Sequence, residues 1–303
     1  NNLPLEVAPM QRLLVVLALS RAASALASYN ETRSSLYARF AGAAYCSVAS
    51  LETWSCGAKC ADGVANVQIC PGETTKAYVA DWDGSCLVTF QGTSDFEAAL
   101  LDVKAWMLPT PWGMCKDCHV HKGFLEEWQS LQPCITELLQ SRGCGTEDHG
   151  LRVTGHSLGA AVAAVSMMAF ASEGLHVQES YNFGMPRAGD EAFANAFNRR
   201  FGDRFFRVTH RRDPFVHVPP RQLLIDWRFE HVEPEVFHSG SPSQGYLQCI
   251  EDTDARCSGQ YWNVPLDMLL LVDHLDYMDV ATSPFGCGAV TDVMPSPRSA
   301  VVV

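Results

Sequence analysis

The pentapeptide Gly155-His156-Ser157-Leu158-Gly159 decides how this chain is interpreted. It lies between the apolar stretch Leu151-Arg152-Val153-Thr154 and a stretch from Ala160 to Phe170 that is rich in Ala, Val and Met. This order predicts a strand that turns sharply into a helix, and such a turn pushes the serine hydroxyl out of the backbone. Glycine suits both flanking positions because larger side chains would collide in so tight a bend.

The predicted turn makes Ser157 a candidate nucleophile. The backbone N–H of Leu158, at the start of the helix, points to where an oxyanion would form. A bare G-x-S-x-G also occurs by chance, and a serine in an ordinary surface turn is the alternative. The predicted strand before the motif and helix after it favour the nucleophile.

Composition restricts the class of protein. The chain has 303 residues, 47% of them apolar, and a formal net charge of −12. These values predict one large globular domain and make a nucleic-acid partner improbable, because no basic stripe is present. Beyond a short apolar run near the N-terminus, no stretch has the length and apolarity of a membrane span, so a transmembrane segment is not expected.

Cysteines and the N-terminus indicate secretion. Twelve cysteines at short spacings are typical of disulfides formed in an oxidising compartment. Arg12, the apolar run from Leu13 to Leu19 and the small-residue site Ala25-Leu26-Ala27 predict a signal peptide. We therefore expect a leader over residues 1–27, one domain over 28–290 and a tail over 291–303. Residues 1–9 precede the plausible start methionine, so whether they are native stays open.

Strand-like and helical patterns alternate along the domain. Residues 76–80, 86–90, 179–183 and 205–209 have the pattern of strands. The apolar residues of one helical stretch recur at every third or fourth position: Phe124, Trp128, Leu131, Ile135 and Leu138. Pro133 predicts a bend in that helix. The alternation predicts an α/β fold with a mostly parallel sheet covered by helices.

A nucleophilic serine needs a base and a carboxylate. On such folds the two follow the serine in the order acid, then histidine. Asp213 comes shortly after the strand at 205–209 and is the best acid, although an aspartate in a turn before Pro214 is the alternative. Four histidines follow it: His217, His231, His238 and His274.

Spacing alone does not decide among these histidines. His274 is favoured because it follows the apolar run from Met268 to Val272. His231 and His238 flank a proline-containing stretch and are predicted to be surface loop residues.

Several motifs together resemble those of the class 3 lipase family, the fungal-type triacylglycerol lipases and their feruloyl-esterase relatives. The resemblance covers Tyr45 to Cys287. Its motifs occur in the family's order: Ala44-Tyr45-Cys46, Val88-Thr89-Phe90-Gln91-Gly92-Thr93, Val120-His121-Lys122-Gly123-Phe124, Val153 to Gly159, Tyr181 to Arg187, Val208 to Asp213 and Asp273-His274. The resemblance implies an α/β-hydrolase fold with a short helical lid over the active site.

The resemblance also implies the site. Ser157, Asp213 and His274 would form a catalytic triad, and the backbone N–H groups of Thr93 and Leu158 would form the oxyanion hole. No cofactor or metal is implied. The expected partner is an ester substrate at a lipid–water interface, and the oligomeric state stays open.

The stretch between Thr93 and Cys115 resembles the family's lid. Phe96, Ala99, Leu100 and Val103 fall on one helical face. Ala99 stands where the family often has tryptophan, and Trp106 or Trp112 could serve instead. The substrate therefore stays open among triacylglycerols, phospholipids cleaved at the first acyl position, and soluble or phenolic esters. A catalytically inactive, disulfide-rich extracellular binding protein is the non-enzymatic alternative.

The cysteines allow a second interpretation. Cys115-Lys116-Asp117-Cys118-His119 matches a C-x-x-C-H haem attachment pattern, and with His121 it could be a zinc set. The family resemblance instead implies disulfides Cys115–Cys118, Cys46–Cys287 and Cys56–Cys60. Cys249 and Cys257 are close enough in sequence to pair. For the remaining cysteines we predict Cys70–Cys86 and Cys134–Cys144.

Overall fold

A computed structural model describes residues 28–94, 106–224, 227–250, 252–261 and 271–288. The predicted leader, most of the predicted lid and the predicted tail lie outside these residues. The domain boundaries predicted from the sequence stay predictions.

Helices and strands alternate over most of the described chain. The helices are α1 Glu31–Ala43, α2 Val48–Glu52, α3 Lys122–Ser141, α4 Leu158–Ser172, α5 Glu191–Phe201 and α6 Leu271–His274. The strands are β1 Ala65–Pro71, β2 Lys76–Trp82, β3 Ser85–Phe90, β4 Met107–Pro109, β5 His119–His121, β6 Leu151–His156, β7 Val177–Phe183, β8 Gly189–Asp190, β9 Phe205–His210, β10 Gln222–Leu224, β11 Trp227–Glu230, β12 Glu235–His238, β13 Leu247–Cys249, β14 Asp276–Tyr277 and β15 Val280–Ala281.

An eight-stranded sheet forms the centre of the molecule, in the order β1-β2-β3-β6-β7-β9-β12-β13. The five strands from β3 to β12 pair in parallel, and the strands at both edges pair antiparallel. The central strands are almost continuously buried, as expected for parallel strands covered on both faces. The mostly parallel α/β sheet predicted from the sequence is confirmed.

Helix α4 begins within the pentapeptide, at Leu158. Its residues from Gly159 to Ala171 are all buried, which is typical of a helix that carries apolar side chains on every face. Helix α3 also has the predicted position and continues through Pro133. Strand β7 begins at Val177, two positions before the predicted start.

A smaller antiparallel sheet, in the order β10-β11-β8-β5-β4, brings the segment around His121 against the central domain. Among the described residues, no helix is both long and apolar enough to cross a membrane.

Six disulfides use all twelve cysteines. Four of the predicted pairs are confirmed: Cys46–Cys287, Cys56–Cys60, Cys115–Cys118 and Cys249–Cys257. The haem and zinc interpretations of the C-x-x-C-H motif are wrong, because both of its sulfur atoms are consumed in one disulfide.

The other two predicted pairs are wrong. The observed bonds are Cys70–Cys134 and Cys86–Cys144. Cys70 lies on β1 and Cys86 on β3, and β2 separates these strands in the sheet. Helix α3 instead packs across β1, so that Cys134 faces Cys70. Proximity in sequence does not predict these two bonds, because the packing of helix α3 brings Cys134 to Cys70.

Candidate active site

The pentapeptide forms the expected sharp turn. Strand β6 ends at His156, helix α4 begins at Leu158, and Ser157 between them has φ 59° and ψ −130°. A positive φ is uncommon for a residue other than glycine and marks a strained position. The N–H of Ser157 donates to the carbonyl of Phe183 at 2.9 Å, which holds the turn against β7.

Both glycines of the pentapeptide are required by close contacts. A Cβ on Gly155 would lie 2.3 Å from the carbonyl oxygen of Gly159. A Cβ on Gly159 would lie 2.3 Å from the carbonyl oxygen of Phe90. Backbone atoms cannot yield at such distances, so the turn excludes every larger residue at these positions.

The contact between Gly159 and Phe90 places the loop after β3 against the turn. A Cβ on Gly92 would meet the Ser157 Cβ at 3.0 Å. Thr93 follows directly and lines the same cavity as Ser157 and Leu158. The two residues predicted to supply oxyanion donors therefore lie on two segments that meet at the serine.

Ser157 lines a cavity of about 310 Å³. The side chain is only 1% exposed, and its hydroxyl makes no hydrogen bond with any residue that the structure describes. A buried hydroxyl that is left without a partner costs roughly 1–3 kcal/mol. Such an arrangement is typical of a group kept for chemistry rather than for stability.

Asp213 and His274 are joined, as predicted. The Asp213 Oδ2 atom lies 2.8 Å from His274 Nδ1, and both side chains are fully buried. Tyr277 donates its hydroxyl to the same carboxylate oxygen, and the N–H of Phe215 donates to Oδ1 at 2.7 Å. Three donors on two oxygens fix the orientation of the carboxylate.

These donors also keep Asp213 ionised. Burial alone would raise the pKa of this carboxyl group, since it penalises the charged form. The nearby His274 and the hydrogen bonds from His274, Tyr277 and Phe215 outweigh burial and lower the pKa of Asp213 below its usual value. A buried carboxylate at this position can therefore stabilise a positive charge on His274.

His274 lies beside the residue that precedes the serine. Its ring centroid is 4.4 Å from that of His156, and its backbone carbonyl is 2.8 Å from His156 Nε2. The ring of Phe215 stacks on His274 at 4.0 Å and lines the same cavity as Ser157. The aspartate–histidine pair is thus brought to the end of the cavity that holds the serine.

The other histidines have different surroundings. His231 and His238 are each only 2% exposed, so their prediction as surface loop residues is wrong. His231 Nε2 donates to the carbonyl of Val216 at 2.7 Å, and His238 contacts the hydroxyl of Tyr29. Burial lowers the pKa of His217 and of His238 to about 4, so both rings are neutral.

The cavity wall combines apolar and acidic side chains. Phe124, Pro186, Val218 and Pro219 contribute apolar surface. The carboxyl groups that line the cavity belong to Glu73, Glu126 and Glu127, and no lysine or arginine is among the described lining residues.

The sequence interpretation missed Tyr277 and the N–H of Phe215 as donors to Asp213. Both lie close in sequence to triad candidates, Tyr277 three positions after His274 and Phe215 two after Asp213. An aromatic hydroxyl so close to a candidate base was a usable signal. The contact itself depends on tertiary packing.

Comparison with known proteins agrees with this geometry. Residues 87–223 match the family model described as lipase (class 3). The chain is 31% identical over 222 residues to a secreted mono- and diacylglycerol lipase 1 of Fusarium solani, covering 68% of this chain and 63% of that protein. It therefore spans less than two thirds of that relative's length.

Solved structures show the same fold. The triacylglyceride lipase of Rhizomucor miehei superposes with a TM-score of 0.71 at 24% identity, covering 85% of this chain and 98% of that one. Lipase II of Rhizopus niveus superposes with a TM-score of 0.69 at 26% identity, covering 84% of this chain and 97% of that one. With an α/β-hydrolase fold and a serine in a strained turn, the chain carries the class 3 lipase family pattern over residues 87–223.

Proposed function

We propose that the protein hydrolyses carboxylic esters of lipids, with Ser157 as nucleophile, His274 as general base and Asp213 as the carboxylate that orients it. The observation that carries the proposal is the 2.8 Å contact between Asp213 and His274 beside the turn that presents Ser157. A serine hydroxyl is a weak nucleophile at neutral pH, and this pair supplies the base that it needs.

The reaction uses only side chains and backbone of this chain. His274 Nε2 takes the proton from Ser157 while Oγ attacks the ester carbonyl, and the N–H groups of Thr93 and Leu158 stabilise the oxyanion. The proton then passes to the departing alcohol, which leaves an acyl-serine. Water attacks this acyl-enzyme with the same base, and the carboxylic acid and the free serine are released.

The cavity supports an uncharged lipid ester as substrate. Its apolar wall fits an acyl chain, and Glu73 adds negative charge with no lysine or arginine in the described lining, whereas Glu126 is paired with Lys122 at 3.6 Å. An anionic headgroup would therefore be repelled. The Fusarium solani relative is named for mono- and diacylglycerols, which are uncharged.

Trp106 supports action at a lipid surface. Its side chain is 59% exposed, and its carbonyl accepts from Lys122 N–H at 2.7 Å, beside the cavity residues His121 and Gly123. An exposed indole at the cavity rim can enter a lipid layer, where burial of a large apolar side chain contributes about 2 kcal/mol. Trp112, the other candidate, is only 8% exposed.

Secretion is part of the proposal. Residues 1–27 would be removed as a signal peptide, and the domain over 28–290 would fold with its disulfides in an oxidising compartment. The six disulfides support this, as does the relative described as secreted.

Initial rates on four substrates test the proposal: emulsified triolein, emulsified diolein, anionic phospholipid vesicles and a soluble short-chain ester. We expect hydrolysis of uncharged glycerides to rise sharply above their solubility limit and to exceed that of the anionic phospholipid. Flat kinetics across the solubility limit would favour a soluble-ester or phenolic-ester hydrolase. Preference for the phospholipid would favour a phospholipase, and no turnover of any ester would favour a binding protein.

Replacing Trp106 by serine separates surface binding from chemistry. We expect Trp106→Ser to reduce the rate on emulsified glyceride roughly 30-fold, as the loss of about 2 kcal/mol of burial implies, and to leave soluble-ester hydrolysis within twofold. Phe285→Ser is the matched control, because that side chain is 50% exposed and does not line the cavity. Equal losses on both substrates would contradict a role in binding the lipid surface.

A further inference from the structure

Two buried polar side chains, Tyr45 and His156, lie directly beneath the candidate active site. Both are nearly or fully inaccessible, at 6% and 0% exposure. The Tyr45 hydroxyl is 2.7 Å from His156 Nδ1, and His156 Nε2 is 2.8 Å from the backbone carbonyl of His274. Gly92 packs against the same phenol oxygen, since a Cβ on Gly92 would lie 2.2 Å from it.

Which group donates and which accepts in each hydrogen bond follows from the chemistry of the two groups that it joins. A backbone carbonyl can only accept, so His156 Nε2 must carry the proton that it donates to His274. Burial, aided by the neighbouring His274, lowers the pKa of His156 far below its usual range, so the ring carries one proton only. Nδ1 is therefore an acceptor, and the Tyr45 hydroxyl must donate to it.

The result is one directed chain of hydrogen bonds. It runs from the Tyr45 hydroxyl, which packs against Gly92, to the His156 ring and on to the His274 carbonyl. Gly92 precedes Thr93, His156 precedes Ser157, and His274 is the proposed base. Thr282 donates to the same carbonyl from the other side at 3.2 Å.

We infer that Tyr45 and His156 are positioning residues that fix the oxyanion loop, the nucleophile and the base relative to one another through a single tautomer of His156. The inference rests on the proposed function, because it assigns these residues a role in that reaction. Neither side chain touches the substrate. Their effect is to hold three segments, distant in sequence, within the tolerance that the reaction requires.

The neutral state of His156 has a second consequence. The ring centroids of His156 and His274 are 4.4 Å apart, so a charged His156 would oppose protonation of the base. With His156 uncharged, the proton taken from Ser157 can be held on His274 beside Asp213.

Tyr45→Phe tests the inference by removing a single oxygen atom. We expect kcat on a soluble ester to fall roughly 10- to 100-fold with KM within twofold, since a displacement of about 1 Å has effects of this order. Tyr78→Phe is the matched control, because it removes a hydroxyl that is equally buried and donates to the carbonyl of Phe40, away from the cavity. It should leave kcat within twofold.

A second pair of variants avoids dependence on Tyr45 alone. In His156→Gln the amide can still accept from Tyr45 and donate to His274, whereas His156→Leu can do neither. We expect the glutamine variant to retain at least tenfold more kcat than the leucine variant, with thermal unfolding used to restrict the comparison to folded protein.

Two results would overturn the inference: Tyr45→Phe with kcat within threefold of the parent, or equal kcat in folded His156→Gln and His156→Leu. Ser157→Ala keeps these outcomes separate from failure of the proposed function. If Ser157→Ala is active, the function itself is wrong. If it is inactive while Tyr45→Phe is fully active, only the positioning role fails.

Discussion

Ser157→Ala should reduce kcat for ester hydrolysis by a factor on the order of 10⁵ to 10⁶, close to the limit of detection. Loss of the nucleophile removes the covalent route entirely, and what remains is binding and oxyanion stabilisation. Fold stability should be unchanged or slightly higher. The Ser157 hydroxyl is buried and makes no hydrogen bond with the described residues, so its removal breaks no such bond.

Rates on a soluble ester, together with thermal unfolding, measure both effects. Ser166→Ala is the matched control, since Ser166 is equally buried on the helix that follows Ser157 and donates to the carbonyl of Ala163 at 2.7 Å. It should keep kcat within twofold. More than one-hundredth of the parent kcat in purified Ser157→Ala would exclude this serine as the nucleophile.

Asp213→Asn should have the second largest effect, lowering kcat by roughly 10⁴ with little change in KM. The carboxylate accepts from His274 Nδ1 and from Tyr277 through Oδ2, and from the Phe215 N–H through Oδ1. An amide keeps one acceptor and places its NH₂ group against His274. The ring would then carry its proton on Nε2, and Nε2 could no longer take the proton of Ser157.

Steady-state kinetics of this variant are compared with those of Asp273→Asn. Asp273 is also buried and immediately precedes His274, but its carboxylate accepts from the backbone N–H of Arg212 instead of from His274. We expect Asp273→Asn to stay within tenfold of the parent. Equal losses in the two variants would show that any lost negative charge in this region is damaging, and would contradict the specific role of Asp213.

Local pattern was sufficient to predict the turn and the central sheet. The backbone contact that requires Gly155 lies within the motif and so appears directly in the sequence, whereas the contact that requires Gly159 is with the distant backbone of Phe90. The central strands are recognisable because burial on both faces demands continuous apolar runs. The family motifs then singled out Asp213 and His274, which the structure joins at 2.8 Å.

Features that depend on packing between distant segments could not be predicted in this way. Cys70 pairs with Cys134 because helix α3 crosses β1, and nothing near Cys70 in the sequence records that crossing. The proline-containing stretch that His231 flanks predicts a surface loop residue. His231 is buried because the neutral ring donates to Val216 and lies near the buried ion pair of Arg187 and Asp252.

The same limit applies to the hydrogen bonds around the site. Tyr45 and His156 both stand in motifs that were recognised, yet 111 positions separate them and no local pattern links them. Tyr277 reaches Asp213 across 64 positions. The sequence therefore predicts the groups that we propose to react, while the groups that orient them emerged only from the three-dimensional arrangement.

Covalent modification by a fluorophosphonate ester, followed by intact mass measurement and peptide mapping, tests the central claim most directly. A nucleophilic serine that is paired with a base attacks the phosphorus, displaces fluoride and retains the phosphonyl group. We predict one adduct per chain, located on Ser157, forming at least a thousandfold more slowly in Asp213→Asn. An unmodified parent protein, or an adduct on another residue that persists in Ser157→Ala, would contradict the account.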